Sequence, residues 1–253
     1  MYWIILIVIG FMAVHVFKMM RLYLVLMEHR IPFGEFLLLY FRTTFVNLVI
    51  PFKLGELYRV EEISRKTGVW QVGLLSVLVD RFYDTLALFV LLLPVDLILG
   101  HTVSVITGVF FVILVLAASV YLAIPGSFVY LNQYLIMRKS SVRTMAALKG
   151  LDVIKNWYDF TKNLIKGRSI LILFASFLGW LAEIVTLKAI ECYQGMPFGL
   201  ADFAAYIGSV FQAGANPVKA VYTRIGVIAM AVCTVLGYLI YIVGISRRKR
   251  AEA

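Results

Sequence analysis

"NLVIPFKLGELYRVEEISRK", Asn47 to Lys66, begins as membrane-grade hydrophobic sequence, breaks at a proline, and then places Lys53, Glu56, Arg59, Glu61 and Glu62 within ten positions. Whether this stretch crosses a bilayer or turns back inside it decides how the rest of the chain threads.

Composition places the chain in a membrane. Of 253 residues, 62% are hydrophobic and 15% charged, and the mean hydropathy of +0.92 lies well outside the range of soluble globular domains. Runs such as Ile170 to Ile190 and Val103 to Ile124 need hydrocarbon around them. Five segments are apolar enough, at about 20 residues each, to cross about 30 Å of hydrocarbon. They are 2–26, 70–95, 103–124, 169–190 and 222–245. Stretches 34–67 and 198–220 are ambiguous, since each could be read as a further span.

Net charge is +10, from 24 Lys and Arg against 14 acids. In a soluble protein that excess would point to nucleic acid. Here the positions of the basic residues report orientation, and no nucleic-acid role is expected. Cys192 and Cys233 are far apart, and His15, His29 and His101 lie in different segments outside any metal-binding frame, so no metal or other cofactor is expected. Met1 leads straight into "YWIILIVIGFMAVHVF" without a basic leader or small-residue cleavage site, so the first helix is expected to persist.

The first helix ends in Lys18, Arg21 and Arg30, the 125–168 connection carries eight Lys or Arg, and the chain closes on "SRRKR". These regions should be cytoplasmic, whereas 96–102 and 191–199 have no Lys or Arg and should be external. The N-terminus is then outside and the C-terminus cytoplasmic, in a bacterial or archaeal plasma membrane. Stretch 34–67 must begin and end on the cytoplasmic side, and 198–220 must begin and end outside. Each is expected to be a re-entrant hairpin, broken at "IPFKLGE" and "AGANPVK", where Pro and Gly interrupt the helical hydrogen-bond ladder.

The expected fold is an all-α polytopic membrane protein with about five transmembrane helices and two re-entrant hairpins in inverted-repeat topology. It forms one membrane domain over 1–253: a first repeat, 1–100, with cytoplasmic hairpin 34–67; a linking helix, 103–124; an interfacial amphipathic segment, 125–168; and a second repeat, 169–245, with external hairpin 198–220. Broken helices meeting near the midplane recur in transporters, where unwound backbone lines a polar cavity. In the amphipathic segment Leu148, Leu151, Ile154, Trp157 or Tyr158, and Ile165 recur at helical intervals among lysines.

Helix 70–95 carries Asp80, Arg81 and Asp84, about 15 to 20 Å past its cytoplasmic start at about 1.5 Å per residue. A charge at such depth costs roughly 2.5 to 3.5 kcal/mol on insertion scales, so three together call for partners or a wet cavity. Asp80 and Asp84 share a helix face and Arg81 points about 100° away. Arg81 should therefore reach another segment's acid and the two aspartates another segment's bases. Arg42, Lys53, Arg59 and Arg81 nearly balance Glu56, Glu61, Glu62, Asp80 and Asp84. Such a set is either an ion-pair network fixing hairpin to helix or a cavity for a charged head group. In the second reading helix N-terminal amides and Lys53 would face an anion such as phosphate. In the second half Glu183 lies mid-membrane, Lys188 is near enough to the interface to snorkel, and Asn216 and Lys219 sit at the external break.

The stretch from Asn47 to Leu88 resembles the lysylphosphatidylglycerol synthase transmembrane-region family, a flippase-like domain found alone or fused to an aminoacyl-lipid synthase. The residues that carry the likeness are Asn47, Pro51, Lys53, Gly55, Glu56, Arg59, Gly68, Asp80, Arg81 and Asp84. The resemblance implies a polytopic protein with re-entrant helices that moves or handles charged lipids or polyprenyl-linked glycans. No aminoacyltransferase domain follows in this sequence, so lipid-lysylating activity is not expected. The second half departs from the family pattern: "AGANPVKAVYTR" has no glycine pair and no glutamate.

The leading expectation is a flippase-like transporter, not an enzyme, with a membrane phospholipid or polyprenyl-linked lipid as partner. Asn47, Lys53, Gly55, Glu56, Arg59, Asp80, Arg81 and Asp84 form its candidate binding set, and Glu183, Asn216 and Lys219 its second-half candidates. The alternatives are an accessory scaffold for a membrane lipid or glycan enzyme, and an intramembrane transferase using Asp80 and Asp84 as acid and base.

Overall fold

The computed structural model describes residues 2–50, 54–100, 103–137, 142–197, 199–211 and 216–251. Among them the chain is all α-helical apart from connections. Helix α1, Tyr2–Leu26, closes in a single 3-10 turn, Met27–His29, and Arg30 in the left-handed region (φ 49°) turns the chain into α2, Phe33–Val49. Ile50 is extended (φ −84°, ψ 122°), the conformation a following proline enforces, and it stops α2. Helix α3, Gly55–Thr67, ends at Gly68, whose positive φ of 73° lets its N–H return to Ser64 O at 2.9 Å.

Next come α4, Trp70–Gly100; α5, Val105–Met137; α6, Val142–Ile165; α7, Ser169–Tyr193; α8, Leu200–Phe211; and α9, Pro217–Ala251. Four helices among the described residues are long and apolar enough to span a bilayer: α1 with its 3-10 extension, α5, α7, and α9 as far as Ile242. The 31-residue α4 matches them in length and carries the deep charges. The chain is thus a multi-pass, all-α membrane protein.

Two boundaries differ from those expected. The linking helix does not stop at 124 but runs through Pro125 to Met137, which shortens the polar segment expected over 125–168 to α6. A proline removes one backbone bond, whereas ending a helix in apolar surroundings would strand several. On the far side, residues 217–220 form no separate return arm. They are the first turn of the 35-residue α9, with Asn216 as its cap: Oδ1 accepts from Val218 N at 2.9 Å and Lys219 N at 3.2 Å, and Pro217 takes the first helical position. Only α8, 12 residues long, stands as a short arm there. The rest of the expected break, 212–215, lies outside the described residues.

Helices α2 and α3 form an antiparallel hairpin, with contacts pairing Lys66 with Glu35, Arg59 with Thr44, and Glu56 with Asn47. Gly55 permits the closest approach, because a Cβ there would lie 2.3 Å from Asn47 Cα. Helix α1 packs antiparallel along α7, from Gly10 beside Thr186 to Arg21 beside Ser176. It supplies apolar side chains to three core clusters: Ile7 and Phe11 with Leu88, Ile190 and Phe203; Leu22 and Leu26 with Phe36 and Ile63; and Val25 with Val79, Leu164 and Ile172. Helix α6 lays part of its apolar face on protein. Trp157 meets Trp70 of α4, Tyr158 meets Tyr121 of α5, and Leu164 is buried, while Ile154 stays exposed.

Candidate functional site

Hairpin and helix meet at the deep charges. On α4, Asp80 and Asp84 turn toward α1, where the Arg21 guanidinium holds both. Its Nε donates to Asp80 Oδ1 and its Nη1 to Asp84 Oδ1, each at 2.5 Å, and Nη1 lies 3.2 Å from Ser176 Oγ of α7. The Arg21 side chain is 2% exposed. One guanidinium with two carboxylates leaves the group a unit short of positive charge, and Arg59 of α3, with Nη1 3.8 Å from Asp80 Oδ2, brings the compensation.

Arg81, a third of a turn round α4, reaches away from Arg21 to Glu56 at the start of α3, with Asp84 Oδ2 3.4 Å from its Nη1. Glu56 Oε1 also accepts from Asn47 Nδ2 at 3.2 Å. Arg59 Nη2 lies 3.4 Å from Thr44 Oγ1. The cluster is graded from sealed to open: the Asp80 side chain is 3% exposed, Asp84 13%, Glu56 16% and Arg81 42%.

Four buried polar atoms in this cluster have no hydrogen-bond partner among the described residues: the Nε donors of Arg59 and Arg81, and the acceptors Glu56 Oε2 and Asn47 Oδ1. Buried polar groups are nearly always paired, and these four are exceptions among the described residues of the cluster.

The hairpin thus brings Asn47, Gly55, Glu56 and Arg59 together with Asp80, Arg81 and Asp84, and Arg81 and the aspartates find their partners on other helices, as their positions on α4 required. Lys53 lies outside the described residues. Other members of the expected charge set go elsewhere. Arg42 pairs with Glu62, which also meets Arg65 at 3.6 Å, and Glu61 is exposed. In the second half Glu183 is 4% exposed and bonded to Lys18 at 2.7 Å and Tyr206 at 3.1 Å. Asn216 caps α9, Lys219 Nζ donates to Ser209 O of α8 at 2.7 Å, and Lys188 is exposed. Within the described residues no three His, Cys, Asp or Glu side chains gather as a metal site.

Sequence reasoning missed Arg21 and Lys18. Both were read as charges marking the cytoplasmic end of the first helix, whereas α1 turns them toward α4 and α7. The signal was present in the demand of two deep aspartates for a base from another segment.

Compared with known proteins, residues 1–191 match the family model described as the lysylphosphatidylglycerol synthase TM region. No curated protein and no solved structure matches the chain. The matched region holds the whole cluster and stops short of α8 and α9, the half in which the sequence departs from the family pattern.

Proposed function

The chain belongs to the lysylphosphatidylglycerol synthase transmembrane-region family, and from that premise we propose that it is a flippase-like transporter of a membrane lipid or lipid-linked glycan. Its charged head group passes through the polar cluster between α1, α3 and α4. The observation that carries this reading is the set of donors and acceptors on Arg59, Arg81, Glu56 and Asn47 without partners among the described residues, beside the partly open Arg81. A network built only to fix hairpin to helix would saturate itself, because every unpaired buried group costs free energy.

In this reading the Arg59 and Arg81 guanidinium groups receive phosphate oxygens, to which their fork geometry is suited. Glu56 and Asn47 accept from hydroxyl or ammonium groups of the head, and Gly55 keeps Asn47 close to Glu56. Arg21, Asp80 and Asp84 hold the frame. The antiparallel packing of α1 on α7 supports an inverted repeat, and the α2–α3 pair, 17 and 13 residues long, supports a hairpin that enters and returns on one side.

Reconstitution into liposomes with fluorescent and aminoacylated lipids tests the proposal. The expected result is lipid movement faster than in empty vesicles, slowed by Asp84→Asn and by Arg59→Gln. Movement no faster than in empty vesicles, or equal rates in both variants, overturns it.

A further inference from the structure

Helix α6 leaves a groove against α4 and α5, on the far side of α4 from the charge cluster: Leu75, which lines it, lies about 140° round that helix from Asp80. The groove measures about 310 Å³ between Leu75 of α4, Tyr121 and Ile124 of α5, and Ile154, Trp157 and Tyr158 of α6, the lower end of the size range of ligand sites. Its lining holds no charged residue. The Tyr121 and Tyr158 rings meet with centroids 4.9 Å apart, and the Thr161 hydroxyl donates to Trp157 O at 2.9 Å. Val153 and Ile154, each 51% exposed, form the rim. Such walls offer water few partners and suit an apolar guest.

Charge gathers at the rim. Lys149 stands one turn before Val153 on α6, and Lys155 follows Ile154, its ammonium 4.6 Å from the ring centroid of Phe128, one turn along α5 from Ile124. Both lysines are exposed, and neither forms an ion pair among the described residues. The acids of α6 are Asp152, between the two lysines, and Asp159, one turn after Lys155. Residues 142–168 carry six Lys or Arg against these two, and of the six Arg168 is paired, with Glu28 at 2.6 Å. The groove also lies at the depth of an aromatic belt: Trp157 in its wall meets Trp70, the first residue of α4, edge-on with centroids 5.4 Å apart. A guest that fits has an apolar chain, an anionic end and a place in the bilayer.

We propose that this groove binds one anionic phospholipid of the leaflet that α6 faces, its acyl chain lying along Leu75, Ile124 and Ile154 and its phosphate meeting Lys149 and Lys155. Chain burial supplies the affinity, and the two ammonium groups supply the preference for an anionic head. This lipid is a fixed companion of α6, which links α5 to α7, and is distinct from any lipid handled at the charge cluster. The inference does not rest on the transport reading.

The test places the full chain in phosphatidylcholine vesicles with a minor fraction of lipid brominated on its acyl chain, either phosphatidylglycerol or phosphatidylcholine. Bromine quenches tryptophan on contact, and subtracting the emission of Trp157→Phe isolates Trp157 in the groove wall. Brominated phosphatidylglycerol should quench Trp157 with about tenfold higher apparent affinity than brominated phosphatidylcholine. Lys149→Gln and Lys155→Gln should each lower that preference about threefold to fivefold. Lys166→Gln removes the same charge about three turns beyond the rim and should leave the preference within about twofold. All three lysines are exposed, so these variants keep the packing of the fold.

Equal quenching by the two lipids, or an equal loss of preference in all three lysine variants, overturns the head-group site and leaves only lipid contact or a diffuse surface potential. No quenching of Trp157 by either lipid overturns the proposal outright, the groove then being covered by a second copy or another protein. Relief of quenching by glycerol phosphate at the lipid's own concentration replaces the lipid by a soluble phosphate. None of these outcomes touches lipid movement through the charge cluster, whose residues take no part in the groove.

Discussion

Arg21 Nε lies 2.5 Å from Asp80 Oδ1, a fully buried contact between residues 59 positions apart that fastens the first helix of the chain to the fourth. Because the same guanidinium also holds Asp84, its removal would leave two buried carboxylates facing each other across one turn. Arg21→Met should destabilise the protein by about 3 to 5 kcal/mol, the range for breaking a buried pair by deleting one partner. The triple variant Arg21→Met, Asp80→Leu, Asp84→Leu should recover much of the loss. Thermal unfolding in detergent checks both, and a single variant as stable as wild type would show that the pair does not hold the helices.

Gly55 and Gly34 make a matched comparison. A Cβ at Gly55 meets the backbone of Asn47 at 2.3 Å, whereas one at Gly34 meets nothing within 4 Å. Gly55→Ala should cost about 1 to 3 kcal/mol, as overpacking does, and should slow lipid movement by displacing Asn47 from Glu56. Gly34→Ala should be neutral or slightly stabilising, since alanine is the better helix former.

Arg81 and Glu56 should behave as one unit. In a double-mutant cycle with Arg81→Gln and Glu56→Gln, transport should show a coupling of about 1 to 3 kcal/mol, because each single change orphans the other's charge. The Arg65 and Glu61 pair, 4.0 Å apart with side chains 71% and 65% exposed, should show a coupling near zero. Equal coupling in the two cycles would remove Arg81 and Glu56 from the site.

Orientation is tested by cysteine labelling in a background lacking Cys192 and Cys233. Arg65→Cys, on the last turn of α3, should react with an impermeant thiol reagent only from the cytoplasmic side, and Tyr193→Cys, ending α7, only from outside. Labelling of both from one face would undo the threading read from basic residues.

The sequence was most legible where one physical rule acted alone. Hydropathy located the apolar helices, and the Pro and Gly break separated α2 from α3. The three charges on α4, two aspartates on one face and Arg81 about 100° round from Asp80, announced that partners must come from two directions. It was less legible where two rules gave opposite answers for one residue. A Lys or Arg near a helix end satisfies the orientation rule and equally satisfies an ion-pair demand, and only tertiary packing showed that Lys18 and Arg21 meet the second. The linking helix was likewise expected to end at 124, yet it runs through Pro125 and 12 residues further.

The ion pairs of α1 also bear on how the molecule is made. Ribosomes deliver this helix before α4 and α7, with Lys18 and Arg21 already in it, while Asp80 emerges 59 residues after Arg21 and Glu183 165 residues after Lys18. Until then the two cations lack the carboxylates that hold them in the finished fold, and their long stems would carry the charges toward the lipid surface, leaving α1 displaced along its axis. Arrival of α4 would let Arg21 sink, and arrival of α7 would let Lys18 follow, so that the helix takes its final depth in two steps timed by synthesis.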